Sequence, residues 1–410
     1  MQKAVQSPPQ VAGYKPLWLV ILSAGTIVGI AMGLRQVAGL YLTPVTQDLG
    51  IGREPFSNSM ALANLVWGIC AVFAGMVADR YGAGRVIVTG ALATMVGNYL
   101  MYAAQSGTEL LWAGLFLGIG VSGTGITSLV GAVGRAAAPE KRLAAIASLG
   151  MAGGIGGFVA FPYTHLLMDL AGWKTSLLLL VATCAIMIPL ALPLAGKPVA
   201  TAGVGDDQGL VEAFKEALTH RSYILLLIGF FVCGFHVAFY GVHLPAFVAD
   251  KGLDGSVAVI ALTMVGLANL VGTYIAGQSG RFVEKRLGLS LIYFGRSFVF
   301  LGLLFLPITP ATIIGLSIVL GFLWLSTVPL TSGLVATFFG TRWMSMLFGV
   351  VFLSHQVGSF AGLRLAGYLY DATKSYDAMW WISVALGLFA AAVHYPIKER
   401  PVARLVPAAA

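Results

Sequence analysis

One stretch constrains this fold more than any other: Gly75-Met-Val-Ala-Asp-Arg-Tyr-Gly-Ala-Gly-Arg85. It joins two apolar runs, residues 55–78 and 86–104, each long enough to cross a bilayer. Lipid offers a backbone no hydrogen bonds, so two such runs with a short link must form a helical hairpin. The link reads as a tight turn carrying Asp79, Arg80 and Arg85, and its basic residues place it on the cytoplasmic side. Gly75 and Gly82 would let backbones approach closely at either end of the turn.

The rest of the chain repeats the pattern. With 58% apolar residues, 10% charged residues and a mean hydropathy of +0.88, a soluble 410-residue domain would lack a polar surface to wet. The chain is therefore expected to be an all-α membrane protein. Its net charge of +8 is scattered over short loops, which is the positive-inside bias and not a nucleic-acid patch. Cys70, Cys184 and Cys233 fall within apolar runs, so no disulfide framework is implied.

Twelve spans are expected, over residues 17–41, 55–78, 86–104, 110–133, 143–168, 175–194, 222–248, 257–277, 287–306, 311–338, 344–370 and 378–395. The polar segment 1–15 leads into the first span without a cleavable signal pattern, so that span is retained. Lys and Arg outside the spans number 17 in the termini and even-numbered loops, against four in the odd-numbered loops. Both termini are therefore expected in the cytoplasm. Only residues 196–221 form a long polar break. There Leu210, Val211, Phe214, Ala217 and Leu218 recur at helical spacing opposite Glu212, Lys215 and Glu216. That segment reads either as an amphipathic helix on the membrane surface or as an irregular linker. The expected organisation is a bundle over 1–195, this linker, and a second bundle over 222–410.

Polar residues inside the spans carry the chemistry. None of the 16 acidic residues lies near a span centre, whereas Arg35, Arg296 and Arg364 fall within spans. An ionisable group in a membrane costs roughly 2.5–3.5 kcal/mol on insertion scales, so each is a functional candidate. A cationic substrate would need a buried carboxylate. Arginine without one attracts an anion, best of all a carboxylate that takes two parallel hydrogen bonds. Span 7 sets Cys233, His236, Tyr240 and His243 on one helical face; span 11 offers His355 with Gln356; span 8 has Asn269; span 10 has Trp324. The histidines are the side chains able to exchange a proton near neutrality. Paired catalytic groups and a metal-ligand cluster are missing from the pattern, so neither an enzyme nor a cofactor is expected.

The frame Gly-x-x-x-Asp-Arg-x-Gly at residues 75–82, in the second inter-span loop, resembles the signature of the major facilitator superfamily. The halves also echo one another, Gly280-Arg-Phe-Val-Glu-Lys-Arg286 occupying the signature's place in the second. The resemblance implies two six-helix bundles with a substrate site between them and alternating access. It also implies that Gly75, Asp79, Arg80, Gly82 and Arg85 form a conformational gate. Met32-Gly-Leu-Arg-Gln36, Phe235-His-Val-Ala-Phe239 and His355-Gln-Val-Gly-Ser-Phe360 are similar to the bacterial monocarboxylate porter and oxalate–formate antiporter-like branch. On that resemblance span 1 lines the cavity and Arg35 is the favoured anchor, beside Gln36. Arg296 stands either as a substrate group or as a tie to neighbouring carbonyls. His236, Tyr240, His243, Asn269, Trp324, His355 and Gln356 complete the candidate site. Expected partners are a small organic anion, protons and the lipid bilayer of a bacterial inner membrane, with the monomer as functional unit. The alternative is a proton-driven exporter of amphiphilic compounds. Two departures bear on the substrate: span 4 lacks the arginine common in proton-coupled drug antiporters, which argues against drug efflux, and Asn269 stands where monocarboxylate porters often carry an Asp/Arg pair.

Overall fold

The structure, a computed structural model, describes residues 16–196, 209–340 and 342–405. The polar N-terminal segment 1–15 and the 197–208 part of the linker lie outside those residues. Among the described residues all regular structure is helical. Helix α1 (Leu17–Gln36) passes through a tighter 3-10 turn, Val37–Tyr41, into α2 (Leu42–Asp48). Then come α3 (Arg53–Tyr81), α4 (Ala83–Ala103), α5 (Gly107–Thr124), α6 (Ile126–Ala136), α7 (Pro139–Ala185) and α8 (Met187–Leu190). The second part holds α9 (Leu210–Thr219), α10 (Arg221–Asp250), α11 (Gly255–Ser279), α12 (Lys285–Phe305), α13 (Pro310–Leu323), α14 (Thr327–Phe339), α15 (Met344–Thr373) and α16 (Asp377–His394).

Among the described residues, 11 continuous helical stretches are long and apolar enough to cross a membrane. The longest, Ala145–Leu194, has 50 residues. Run straight it would reach about 75 Å, over twice the ~30 Å of a hydrocarbon core. It reverses at Gly172, whose φ of 75° and ψ of 161° suit glycine alone, so it is two spans. Counting it so brings the number to the expected twelve. The turn of the 75–85 stretch is shorter than expected: α3 runs on to Tyr81, Gly82 alone (φ 96°) turns the chain, and α4 starts at Ala83. Asp79 and Arg80 thus belong to the last turn of a helix, and the Asp79 side chain is outside the described part.

Two expected spans are broken in the middle. Gly125 separates α5 from α6, and Trp324-Leu-Ser326 separates α13 from α14. The linker forms α9, with Ala213 and Ala217 buried and Leu210, Val211, Phe214 and Leu218 exposed. Asp254 caps α11 by accepting from the Ser256 amide at 2.8 Å, and its hydrogen bonds to Ser256 hold its carboxyl below the usual carboxylate range.

Small residues set the packing. At Gly33 of α1 a Cβ would stand 2.6 Å from the Gly156 carbonyl oxygen of α7, so these helices touch through backbone. Helices α10 and α15, α11 and α13, and α12 and α16 pair in the second part of the chain. Across the seam between the parts, α3 meets α15, α7 meets α11, and α10 meets the Val37–Tyr41 turn. The α3–α15 contact is uneven along its length. Gly367 packs against Glu54 and Ser57, and Gly68 against Gln356 and Leu353. Farther toward the 75–85 turn, Gly75 and Gly349 have nothing within 4 Å of where a Cβ would stand. The close approach expected at Gly75 is therefore corrected: nothing packs against it, and among the described residues the tight α3–α15 contacts lie toward the far end of the seam.

Candidate functional site

Between the two parts lies a cavity of about 80 Å³. At roughly 10–15 Å³ per water site, that is room for about half a dozen waters or one small organic molecule. Its walls are mostly apolar, from residues such as Met60, Leu117, Val121, Val237 and Val265. Polar groups reach it from Arg35, Gln36, Asn64, Thr94 and Asn98, and two indoles, Trp67 and Trp324, border it. Three of the sequence-derived candidates, Arg35, Gln36 and Trp324, thus meet in one place.

Arg35 is the cation of this cavity. It sits in the last turn of α1, just before the 3-10 turn Val37–Tyr41. Its guanidinium lies 4.9 Å from the centre of the Trp67 ring, close enough for a cation–π contact. Among the described residues no hydrogen-bond acceptor or carboxylate reaches it, and its Nε is buried without a partner. Gln36 points its amide back to the Met32 carbonyl at 3.3 Å and packs over Gly157. Asn64 and Asn98 also turn their amide hydrogens to their own helices, onto Met60 O at 2.8 Å and Thr94 O at 2.9 Å. The amide oxygens are left to accept hydrogens from a bound molecule.

Arg296 has the opposite surroundings. It is wholly buried on α12, away from the cavity lining, at the break between α13 and α14. Its Nη2 donates to Leu323 O at 2.7 Å and also to Trp324 O, and Nη1 reaches Cys233 Sγ at 3.5 Å. These are the carbonyls that a broken helix leaves without amides. Asn269 answers the other side of the break, its Oδ1 accepting from Leu325 N at 2.9 Å. Two residues from two helices thus hold a break that sets the Trp324 ring against the cavity.

The other candidates lie outside the cavity lining. His236 is 2.9 Å from the Ser383 carbonyl through Nε2 and stands 4.7 Å from the Phe300 ring. Tyr240 bonds Ser317 Oγ at 2.7 Å and meets Trp324 edge-on. His355 stacks on Phe352 and bonds Gln356 at 2.9 Å, while Gln356 donates to Asn64 O across the seam at 3.1 Å. His243 bridges Ser57 and Tyr376 at the shut end of the seam. Of the gate residues, Arg80 and Arg85 are exposed at the other end, and Gly82 abuts Gly196. Trp67 escaped the sequence reading, although it lies three residues beyond Asn64 on the same face of α3.

A major facilitator superfamily sequence model matches residues 17–363. The chain is 26% identical over 384 residues to monocarboxylate transporter 13 of Bos taurus, across 90% of this chain and 86% of that one. It is 25% identical over 333 residues to the sialic acid transporter NanX of Escherichia coli (strain K12), across 79% and 80%. Among solved structures, that of a D-xylose-proton symporter superposes with a TM-score of 0.73 at 13% identity, covering 95% of this chain and 100% of that chain. Twelve apolar helices around a central cavity, and a family model spanning most of the sequence, lead to one assignment: the chain is an integral membrane protein of the major facilitator superfamily, a family of transporters and not of enzymes.

Proposed function

We propose that this protein carries small organic anions, monocarboxylates first among them, across the membrane by alternating access. One observation carries the reading: the only guanidinium that lines the cavity, Arg35, has no counter-ion among the described residues. A buried charge in a low-dielectric cavity seeks a partner, and a carboxylate supplies both charge and matching geometry. Trp67 and the apolar wall fit the rest of a small acid, and the amide oxygens of Asn64 and Asn98 accept from its hydroxyl groups. Two relatives are named for acids, a monocarboxylate and a sialic acid, which supports the same class. The reading takes the chain as two six-helix bundles, 1–195 and 222–410, in a bacterial inner membrane with both termini in the cytoplasm. The distribution of Lys and Arg supports that orientation.

The test uses labelled L-lactate and its uncharged analogue lactamide on purified protein. Wild type should bind lactate and ignore lactamide. Arg35→Gln should weaken lactate binding about ten- to hundredfold, the effect of losing a charge-assisted bond. Arg35→Lys should fall between, since it keeps the charge and loses the planar fork. Equal binding of lactate and lactamide would sink the proposal.

A further inference from the structure

At the shut end of the seam, short contacts between the two parts converge on Arg53, the first residue of α3. Its guanidinium holds Asp250 of α10 through two hydrogen bonds of 2.7 and 2.6 Å and lies 3.7 Å above the Tyr370 ring. It also donates to the Tyr376 hydroxyl at 2.9 Å. The backbone amides of Arg53 and Glu54 donate to the two oxygens of Asp371, each at 2.8 Å. A carboxylate from α15 thus caps a helix of the other part, where the helix dipole favours it. His243 completes the network, with Nδ1 2.8 Å from Tyr376 Oη and Nε2 3.2 Å from Ser57 Oγ.

The partners fix where each hydrogen goes. Ser57 Oγ donates to the Arg53 carbonyl at 2.7 Å, so His243 Nε2–H donates to Ser57. Nδ1 is then an acceptor and takes the Tyr376 hydroxyl hydrogen, while the Tyr376 oxygen accepts from Arg53. The loop begins at the Arg53 guanidinium, ends at the Arg53 carbonyl, and closes only around a neutral imidazole. The remaining neighbours offer a second proton nothing. Phe239 faces the ring at 5.7 Å, Asp250 is committed to Arg53, and Asp371 to the α3 amides. A proton on Nδ1 would leave the Tyr376 hydroxyl without its acceptor and add a positive charge behind Arg53.

We infer that Arg53, Asp250, Asp371, Tyr376 and His243 form a latch that shuts this end of the cavity and is released by protonation of His243. The inference rests on reading the cavity as a transport site, whose two ends must open in turn. It makes His243 a positioning residue, acting through Tyr376 and Arg53 and not by touching substrate.

Hydrogen–deuterium exchange on the purified full chain, with no anion present, tests it separately from the anion reading. Amides of 53–57 and 371–377 are followed at about pH 7.5 and about pH 5.5, either side of the ordinary imidazole range, with the intrinsic pH effect divided out. Wild-type exchange should rise at least about fivefold at the lower pH, the effect of one net hydrogen bond lost. His243→Gln should erase that rise, and Asp250→Asn should raise exchange at both pH values. Should His243→Gln fail to fold, Tyr376→Phe serves in its place, because it removes the hydrogen that Nδ1 accepts; it too should raise exchange at both. Flat wild-type exchange overturns the latch, as does a His243→Gln or Tyr376→Phe chain that keeps the wild-type values and response. Loss of lactate binding in Arg35→Gln with the latch response intact would leave both readings standing, each on its own measurement.

Discussion

Arg35 and Arg296 look alike in the sequence, each a lone arginine in an apolar span with no carboxylate nearby. In the structure they are opposites. Arg296 is surrounded by acceptors: Leu323 O, Trp324 O and the Cys233 sulfur take its hydrogens, and it does not line the cavity that Arg35 borders. Arg35 borders the cavity with an aromatic face on one side and no acceptor among the described residues. Buried cations in a membrane sort by the acceptors around them. A charge that repairs a broken neighbouring helix is already satisfied by backbone dipoles and has nothing left for a ligand. A charge held only by an indole still needs an anion.

The largest expected effect is on stability. Arg296→Met should lose at least about 2 kcal/mol, because two buried carbonyls lose their donor at roughly 1–3 kcal/mol each. The thermal unfolding midpoint in detergent reads this directly. An unchanged midpoint would mean the break between α13 and α14 holds itself, and Arg296 would be free for another task. Lactate binding by whatever fraction stays folded should persist, since the guanidinium lies outside the cavity.

Arg35→Met is the mirror experiment and should act on binding alone. Lactate affinity should fall about ten- to hundredfold. The unfolding midpoint should stay level or rise, because the substitution removes a buried Nε that has no partner. A drop as large as that of Arg296→Met would show that Arg35 carries the fold after all, and the distinction would collapse.

The sequence made the spans legible because a bilayer permits so few solutions: apolar length, turn glycines and loop charge suffice for helix number and order. It hid the interruptions, because a span broken midway is as apolar as a continuous one. The signals were present but weak. Pro329 lies in the first turn of α14 and Pro44 in the first turn of α2, where a missing amide does no harm. Pro329 could have marked a helix restarting inside span 10, whereas Pro44 lies just beyond the expected end of span 1. Without the break in span 10, Arg296 had no visible partner and its two readings could not be separated. Arg53 was hidden differently: it counts as a loop residue in sequence, and its partners Asp250, Asp371 and Tyr376 lie some 200 to 320 positions away. The Arg35 site was legible in charge, since a span with an arginine and no acid already argues for an anion, but its aromatic support was not.

That support gives the smallest and sharpest test. Trp67 lies beneath the Arg35 guanidinium and meets Phe352 of α15 edge-on at 5.0 Å, so its ring is fixed from the other part of the chain. An indole face stabilises a cation by roughly 0.5–1 kcal/mol, more where water is excluded. Trp67→Leu keeps the apolar wall and removes that face, leaving the guanidinium mobile in the cavity. Lactate affinity should fall about two- to fivefold, far less than for Arg35→Met, because the charge remains. Trp67→Phe, with a smaller ring in the same place, should recover part of the loss. Combined with Arg35→Met, Trp67→Leu should add almost nothing, since a ring that acts only by holding the cation is idle once the cation is gone. Full additivity of the two substitutions would instead give Trp67 a contact of its own with the anion, and the comparison would then be between one satisfied arginine and a two-residue site.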